Sequence, residues 1–324
     1  MFMPSGAAAA AGAGAALYRI RAAKTLAVGG FESGVAPAGW TWTRTGAGRY
    51  NFTHDLDTAT AGLAFMDTAR TTAISAGISY TRTTSQTWAV QTNRALEGGF
   101  TDTAVWVYAI EPLAADSVQL AQVNGTNGAT FVGAAPAGWT IVRQSQGVYQ
   151  LRIPDISDFS FQTGGNALFC TPLANQSTAR IINQTYAGSG SSGYFRIEGN
   201  RLFGDGAVFD TNFYITLIRG TPELIQGVQT VASGGVSGNN PGGFTNSRTA
   251  VGLYTMNPNK GESVDPRTSK WVPWAFGLSS ASNGCICSMT ISGTNALIDT
   301  HRAFEGAAQD KTYGFQLIAN PANE

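Results

Sequence analysis

The chain has 324 residues, of which 43% are hydrophobic and only 12% are charged, and its 20 Lys and Arg residues balance its 20 Asp and Glu residues. This length allows two or three domains with real hydrophobic cores. Without a basic surplus the chain is poorly suited to neutralising phosphates, so we expect no nucleic-acid partner. A neutral surface favours a subunit packed permanently against neighbours, because isolated soluble proteins use net charge to stay dispersed. The alternative is an ordinary extracellular β-protein.

Residues 1–27 are predicted to form an N-terminal anchoring arm. Residues 6–16 contain only Ala and Gly, and the basic residues follow this run instead of preceding it. A secretory signal has the opposite order, and the run is too short to span a bilayer, so we expect no membrane insertion. Because an Ala/Gly tract builds no core, we expect the arm either to dock on another subunit or to form a loosely packed leader on the first domain.

A nine-residue segment that begins with Asp and ends with Ile occurs three times, which predicts three tandem units. The copies are Asp102–Ile110, Asp210–Ile218 and Asp310–Ile318, with aromatic and β-branched residues between their ends. Frequent Gly turns and units of about 90–100 residues favour an all-β fold of tandem β-sandwich or jelly-roll-like repeats. The predicted units are residues 28–122, 123–227 and 228–324.

Each of the first two units opens on the same predicted hairpin. Ala-Pro-Ala-Gly-Trp-Thr-x-x-Arg contains Trp40 in one copy and Trp139 in the other, and a Gly turn leads to Tyr50 or Tyr149. The third unit keeps a degenerate copy, with Tyr254 after its Gly turn. Alternation along these segments predicts a strand, a turn and a returning strand. The recurring residues are predicted to be structural.

A second repeat precedes each closing segment and carries an Arg. Its three arginines are predicted to lock a turn through a salt bridge or through hydrogen bonds to backbone carbonyls. The predicted structural anchors of the repeats are therefore Trp40, Trp139, Tyr50, Tyr149, Tyr254, Arg94, Arg201, Arg302, Asp102, Asp210 and Asp310.

No motif in the sequence names a reaction, so no catalytic residue and no enzymatic activity are predicted. His54 and His301 are the only histidines, and each is interpreted as a surface turn residue. The three cysteines lack zinc-finger spacing and are interpreted as buried small hydrophobes, so no metal and no cofactor are expected. Carboxylate pairs for glycoside hydrolysis stay open, because their separation is spatial and not sequential.

Two tryptophans that only the third unit carries, Trp271 and Trp274, are the candidates for ligand contact. Aromatic faces stack on ligands, but in a β-sandwich they first fill cores. Trp40 and Trp139 recur at equivalent places, which favours the core for them. Both interpretations stay open for Trp271 and Trp274.

The repeated Ala-Pro-Ala-Gly-Trp-Thr-x-x-Arg phrase and the Gly-x-Tyr after it, preceded by a small-residue arm, resemble spike and fibre proteins of tailed bacteriophages and of phage-like gene transfer agents. The resemblance covers the first two units well and the third loosely. It implies a virion structural protein that binds a capsid vertex, capsid face or tail through one end and projects β-domains for host attachment. It supplies no catalytic residues.

We therefore expect a homo-oligomeric spike or fibre subunit on the virion surface, assembled in the bacterial cytoplasm. Its expected partners are other virion proteins (capsid, portal or tail, or a second fibre protein) and a polysaccharide of the host surface. The alternative is an array of carbohydrate-binding β-domains, or a glycan-degrading enzyme on a β-scaffold.

Overall fold

Strands and connecting turns, without a helix, make up the described part of the chain. The computed structural model describes residues 16–32, 36–56, 61–68, 76–94, 99–126, 128–154, 156, 160, 162–174, 180–187, 193–201, 207–278, 284–302 and 308–320, except the side chains of residues 180, 186, 187 and 201. Within these ranges no helix is long and apolar enough to cross a membrane. The all-β prediction is confirmed.

The first unit is a sandwich of two antiparallel sheets. Its strands are β1 Tyr18–Lys24, β2 Thr41–Gly46, β3 Arg49–Thr53, β4 Gly62–Asp67, β5 Ala76–Arg82, β6 Thr87–Arg94 and β7 Val105–Pro112. One sheet has the order β1-β7-β4 and the other has the order β2-β3-β6-β5. Both sheets contribute side chains to one enclosed core. In β7, Val105, Val107 and Ala109 point into this core, as the two-residue period of a strand requires.

The second and third units repeat this topology and add one short strand each. The second contains β8 Val118–Asn124, β9 Thr130–Phe131, β10 Thr140–Ser145, β11 Val148–Arg152, β12 Asn166–Pro172, β13 Arg180–Ala187, β14 Tyr194–Arg201 and β15 Phe213–Arg219. The third contains β16 Ile225–Thr230, β17 Val236–Ser237, β18 Thr245–Ala250, β19 Leu253–Asn257, β20 Trp271–Gly277, β21 Cys285–Ser292, β22 Asn295–Arg302 and β23 Tyr313–Ala319. Their sheets are β9-β8-β15-β12 with β10-β11-β14-β13, and β17-β16-β23-β20 with β18-β19-β22-β21. The three closing segments therefore supply equivalent strands, β7, β15 and β23.

The three sandwiches pack against one another in a closed ring. At each junction an edge strand of one sandwich contacts an edge strand of the next: β5 contacts β12, β13 contacts β20, and β21 contacts β4. Tyr80 O accepts a hydrogen bond from Ala174 N at the first junction (3.0 Å), and Thr68 O accepts one from Thr290 Oγ1 at the third (2.9 Å). Because the same edges meet each time, one chain forms a ring of three with internal pseudo-threefold symmetry.

The outer faces of three sheets form a core that the sandwiches share. In β7 the side chains of Trp106, Tyr108 and Ile110 alternate with those in the sandwich core and pack against the neighbouring sandwiches. Phe169 of the second sandwich and Trp274 of the third enter the same core. This sheet is thus apolar on both faces, which explains why each closing segment reads as a nearly continuous apolar run.

Two buried asparagines bracket backbone groups, one between the second and third sandwiches and one between the third and first. Asn183 donates through Nδ2 to Cys285 O (2.7 Å) and accepts from Cys285 N through Oδ1 (3.2 Å). Asn320 does the same with Ile20, donating to its O at 2.6 Å and accepting from its N at 3.0 Å. The second bracket joins the last described strand to the first and closes the ring.

The first strand corrects the predicted arm. Residues 18–24 of the predicted arm form β1 and pair with β7 along the whole length of β1, from Tyr18 opposite Pro112 to Lys24 opposite Trp106. Equivalent first strands begin at Val118 and Ile225, which the predicted bounds place at the ends of the preceding units. Residues 1–15 of the arm lie outside the described residues.

Candidate functional site

The recurring Asp and Tyr residues meet in what we call the carboxylate clamp. Asp102 accepts two hydrogen bonds from the guanidinium of Arg44 (3.0 and 2.8 Å), one from Gly48 N (2.8 Å) and one from Tyr50 Oη (3.1 Å). Arg44 lowers the pKa of Asp102 to about 2, because its hydrogen bonds favour the charged carboxylate. Gly48 has a φ of +56° and a Cβ there would lie 2.5 Å from Thr101 N, so this turn requires glycine.

The other two sandwiches contain the same clamp. Asp210 accepts from Arg143 (2.8 Å), Gly147 N (2.7 Å) and Tyr149 (3.5 Å), and Asp310 accepts from Arg248 (2.7 Å), Gly252 N (2.9 Å) and Tyr254 (3.3 Å). Each clamp ties the first hairpin of its sandwich to the start of its closing strand. A carboxylate occupied by so many donors is held ionised and fixed, which is a structural role.

The repeated arginines end strands and do not lie in turns. Arg94 and Arg302 are the last residues of β6 and β22, opposite Ala76 and Cys285, and both are half-buried. Arg201 ends β14 in the same way, and its side chain lies outside the described residues. The strand therefore continues to each Arg, and the turn-locking role of these arginines stays a prediction, because residues 95–98, 202–206 and 303–307 lie outside the described residues.

The tryptophans shared by the first two units belong to their cores. Trp40 and Trp139 are each 6% exposed. Trp40 packs edge-on against Phe52 at 5.1 Å, and Trp139 packs against Phe131 at 6.4 Å.

Trp274 is a buried ring-junction residue. It is 8% exposed and lies between Phe169 of the second sandwich, at 4.6 Å, and Tyr108 of the first, at 5.8 Å. Trp271 is partly exposed; its Nε1 donates to Glu262 (3.0 Å), and the Lys260 ammonium lies 4.5 Å from its ring centre. The ligand-contact interpretation therefore fails for Trp274, because the core of the ring covers it, and stays a prediction for Trp271.

Both histidines are buried, so their interpretation as surface turn residues is wrong. His301 lies in β22 and His54 follows β3, and each is 1% exposed. Trp88 Nε1 lies 3.1 Å from His54 Nε2, and Leu56 N lies 3.1 Å from His54 Nδ1. Both neighbours are N–H donors, so the protonated imidazole, which has no acceptor, does not fit this place. Burial accordingly lowers the pKa of His54 to about 4.

This pKa predicts acid sensitivity with a defined window. Between about pH 6.5 and pH 4 the unfolded chain binds a proton at His54 that the folded chain does not, so the free energy of unfolding falls as the pH falls. The contribution of His54 to this fall is expected to reach about 3 kcal/mol at most, given 1.36 kcal/mol per pKa unit. Urea titrations at pH 7, 5.5 and 4 measure it.

His54→Ile is the matched variant, because Ile153 occupies the corresponding place after β11. The charged neighbours Asp55 and Arg21 stay the same in both proteins. The stability difference between wild type and variant should therefore shift toward the variant as the pH falls. A difference that does not change with pH would contradict the assignment.

A small cavity lies on the pseudo-threefold axis. It encloses about 100 Å³ and is lined by the edge strands β4, β5, β12, β13, β20 and β21. Cys170, Cys285 and Cys287 line it, and the last two place their Sγ atoms 3.9 Å apart. Burial raises the pKa of Cys170, so its thiol stays protonated and unreactive. Among the described residues no group of three or more His, Cys, Asp or Glu could hold a metal ion.

A larger opening lies at the junction of the first and second sandwiches, and we call it the junction groove. It encloses about 520 Å³, within the roughly 300–1,000 Å³ that is usual for small-molecule sites. Its aromatic wall consists of three rings in contact. Tyr214 of β15 stacks on Tyr80 of β5 (5.1 Å, 8° between planes) and forms a T-shaped contact with Trp88 of β6 (5.6 Å, 78°).

The other junctions do not repeat this wall. The strand registers show which residues correspond at the junction of the second and third sandwiches. Gln184 and Phe195 of the second sandwich occupy the places of Tyr80 and Trp88. Gly314 of the third sandwich occupies the place of Tyr214. The cavity between the second and third sandwiches has a volume of only about 10 Å³. At the remaining junction the corresponding residues are Met289, Ala296 and Trp106, and all three are buried. The junction groove is thus a departure from the repeat and not a product of it.

No protein-family model, curated protein or solved structure matches this chain.

Proposed function

We propose that this chain is a non-enzymatic virion structural protein, an anchored spike or fibre subunit of a phage or phage-like particle. The observation that supports this proposal is the closed ring of three sandwiches built by one chain. Such a body meets the requirements of a projecting element, because its parts cannot move apart without breaking a shared core.

The place where the arm leaves the ring supports attachment through one end. Residue 16, the first described residue, lies two positions before the first strand, and the Asn320 bracket holds Ile20 of that strand. Leu17 O also accepts hydrogen bonds from Leu113 N (2.9 Å) and Ala114 N (3.0 Å), so the link to the second sandwich starts at the same place. A tether at residues 1–15 would therefore hold all three sandwiches by one point.

The proposed partners are other virion proteins: a capsid protein, a portal or tail protein, or a second fibre protein. The subunit would act on the particle surface after assembly in the bacterial cytoplasm. Further copies of the chain would join through surfaces that the ring leaves open. The edge strands β2, β10 and β18 are such surfaces, since most of their residues are exposed and open edges favour strand pairing.

The test is a truncation that removes residues 1–15 and keeps Leu17 and all of β1. A deletion to residue 24 would remove a strand of the first sandwich and would confuse folding with attachment. We expect the full chain to sediment with particles purified from cells that carry it, and the truncated chain to keep its melting temperature but stay in the soluble fraction. Mass spectrometry of the gradient fractions measures both.

Two outcomes would contradict the proposal. A full chain that never enters the particle fraction argues against a virion role. Normal incorporation of the truncated chain would refute the anchoring role of the arm alone.

The junction groove favours the second candidate function, a carbohydrate-binding array or a glycan-degrading enzyme on the same scaffold. Aromatic walls with polar rims are suited to sugars. Product analysis after incubation with a bound glycan separates the two versions, because only an enzyme shortens the chain of sugars.

A further inference from the structure

We propose that the junction groove binds an acidic polysaccharide, with a pyranose ring against Tyr214 and a uronate carboxylate at Arg82. This inference deepens the proposed function by naming the chemistry of a host-surface ligand. The three-sandwich ring forms the groove by itself, so ligand binding can be tested on the isolated chain without a virus particle.

The first support is the exposed part of the aromatic wall. Tyr80 and Trp88 are 2% and 6% exposed, whereas Tyr214 is only half-buried and forms the accessible part of the wall. Tyr80 stacks on one face of the Tyr214 ring, and Trp88 packs against the same ring at 5.6 Å. The ring of Tyr214 is therefore fixed before a ligand arrives, which lowers the entropic cost of stacking.

The second support is the polar rim at the hairpin that joins β5 to β6. Thr83, Thr84 and Ser85 line the groove at this turn, and all three are exposed. Thr84 Oγ1 accepts hydrogen bonds from Gln86 N (3.3 Å) and Thr87 N (3.0 Å), so its own hydroxyl can still donate. Across the groove the amide of Gln122 can both donate and accept. Such groups suit the hydroxyls of a sugar.

The third support is the charge of the lining. Among the described lining residues Arg82 is the one charged side chain, and no Asp or Glu accompanies it. Its Nε donates to Thr84 O (3.2 Å), which orients the guanidinium along the rim. A guanidinium pairs with a carboxylate in a planar, bidentate geometry. One cation in a chain of zero net charge suits one carboxylate per sugar better than the repeated phosphates of a nucleic acid.

The experiment is isothermal titration of the full chain with tetramers of galacturonate, mannuronate and guluronate, with neutral maltotetraose and with a thymidine tetranucleotide. We expect at least one uronate to bind with one site per chain, and to bind about tenfold or more weakly to Arg82→Gln, as the loss of a charged hydrogen bond predicts. Tyr214→Ala should abolish measurable binding, and Tyr214→Phe should retain it, because the ring stays.

Arg49→Gln is the matched control, since Arg49 is an exposed arginine of the same sandwich outside the groove. Thermal melting shows whether each variant is folded. If Tyr214→Ala does not fold, Arg82→Gln still tests the inference. The inference is overturned if none of the three uronates binds, if binding is equal in wild type and Arg82→Gln, or if maltotetraose or the tetranucleotide binds more tightly. A negative binding result would say nothing about particle incorporation, so the two proposals can be refuted independently.

Discussion

Trp274→Ala is expected to lower the free energy of unfolding by about 3–5 kcal/mol, the range for removing a buried Trp side chain. The indole contacts Phe169 and Tyr108, which belong to two other sandwiches, so the cavity would open where all three meet. Tightly packed interiors relax only partly around such a cavity. Urea titration followed by fluorescence and by far-ultraviolet circular dichroism measures the change, and disagreement between the two probes would show that sandwiches unfold separately.

Trp271→Ala is the control for this prediction, because Trp271 is three residues away in the same strand and partly exposed. Its effect should be clearly smaller. Equal losses for both variants would contradict the ring-junction role of Trp274.

Asn320→Ala is expected to cost about 2–5 kcal/mol and to loosen the third sandwich from the first. The substitution leaves the N–H and the carbonyl of Ile20 without their partner, and each buried unsatisfied group costs about 1–3 kcal/mol. Asn320 is 0% exposed, so water does not readily replace the amide. Hydrogen exchange at Ile20 should accelerate more than exchange within β3, which lies in the other sheet.

Asn51→Ala controls for the loss of an amide, since Asn51 is exposed on β3. We expect its effect to stay within about 0.5 kcal/mol, as for most surface substitutions. If Asn320→Ala behaves like Asn51→Ala, the bracket does not hold the ring closed.

Local patterns in the sequence predict the sandwiches well. The closing segments and the hairpins repeat because each must fill its own core, and the Asp and Tyr residues recur because every sandwich needs the clamp. The first strand was missed, although Tyr18, Ile20 and Ala22 alternate with more polar residues as a strand does. The Ala/Gly tract before it hid the signal.

The ring could not be predicted, because its contacts join residues that do not repeat. Asn320 lies 300 positions from Ile20, and its counterparts in the other sandwiches are Gly220 and Pro112. Tyr80 and Tyr214 of the junction groove come from different units, so no local motif contains both. The available signal is that neither tyrosine recurs at the corresponding positions of the other units, whereas neighbouring residues do follow the repeat.

The fusion of three sandwiches into one polypeptide frees each junction to change alone. In a trimer of identical chains a substitution appears at every interface, so a new aromatic wall must be tolerated three times. Here Tyr214 can open one cleft while Gly314 and Trp106 leave the other two closed. Gene duplication followed by divergence would thus convert a symmetric scaffold into an asymmetric one. Imposing threefold symmetry when images of this protein are averaged would therefore remove the junction groove from the result.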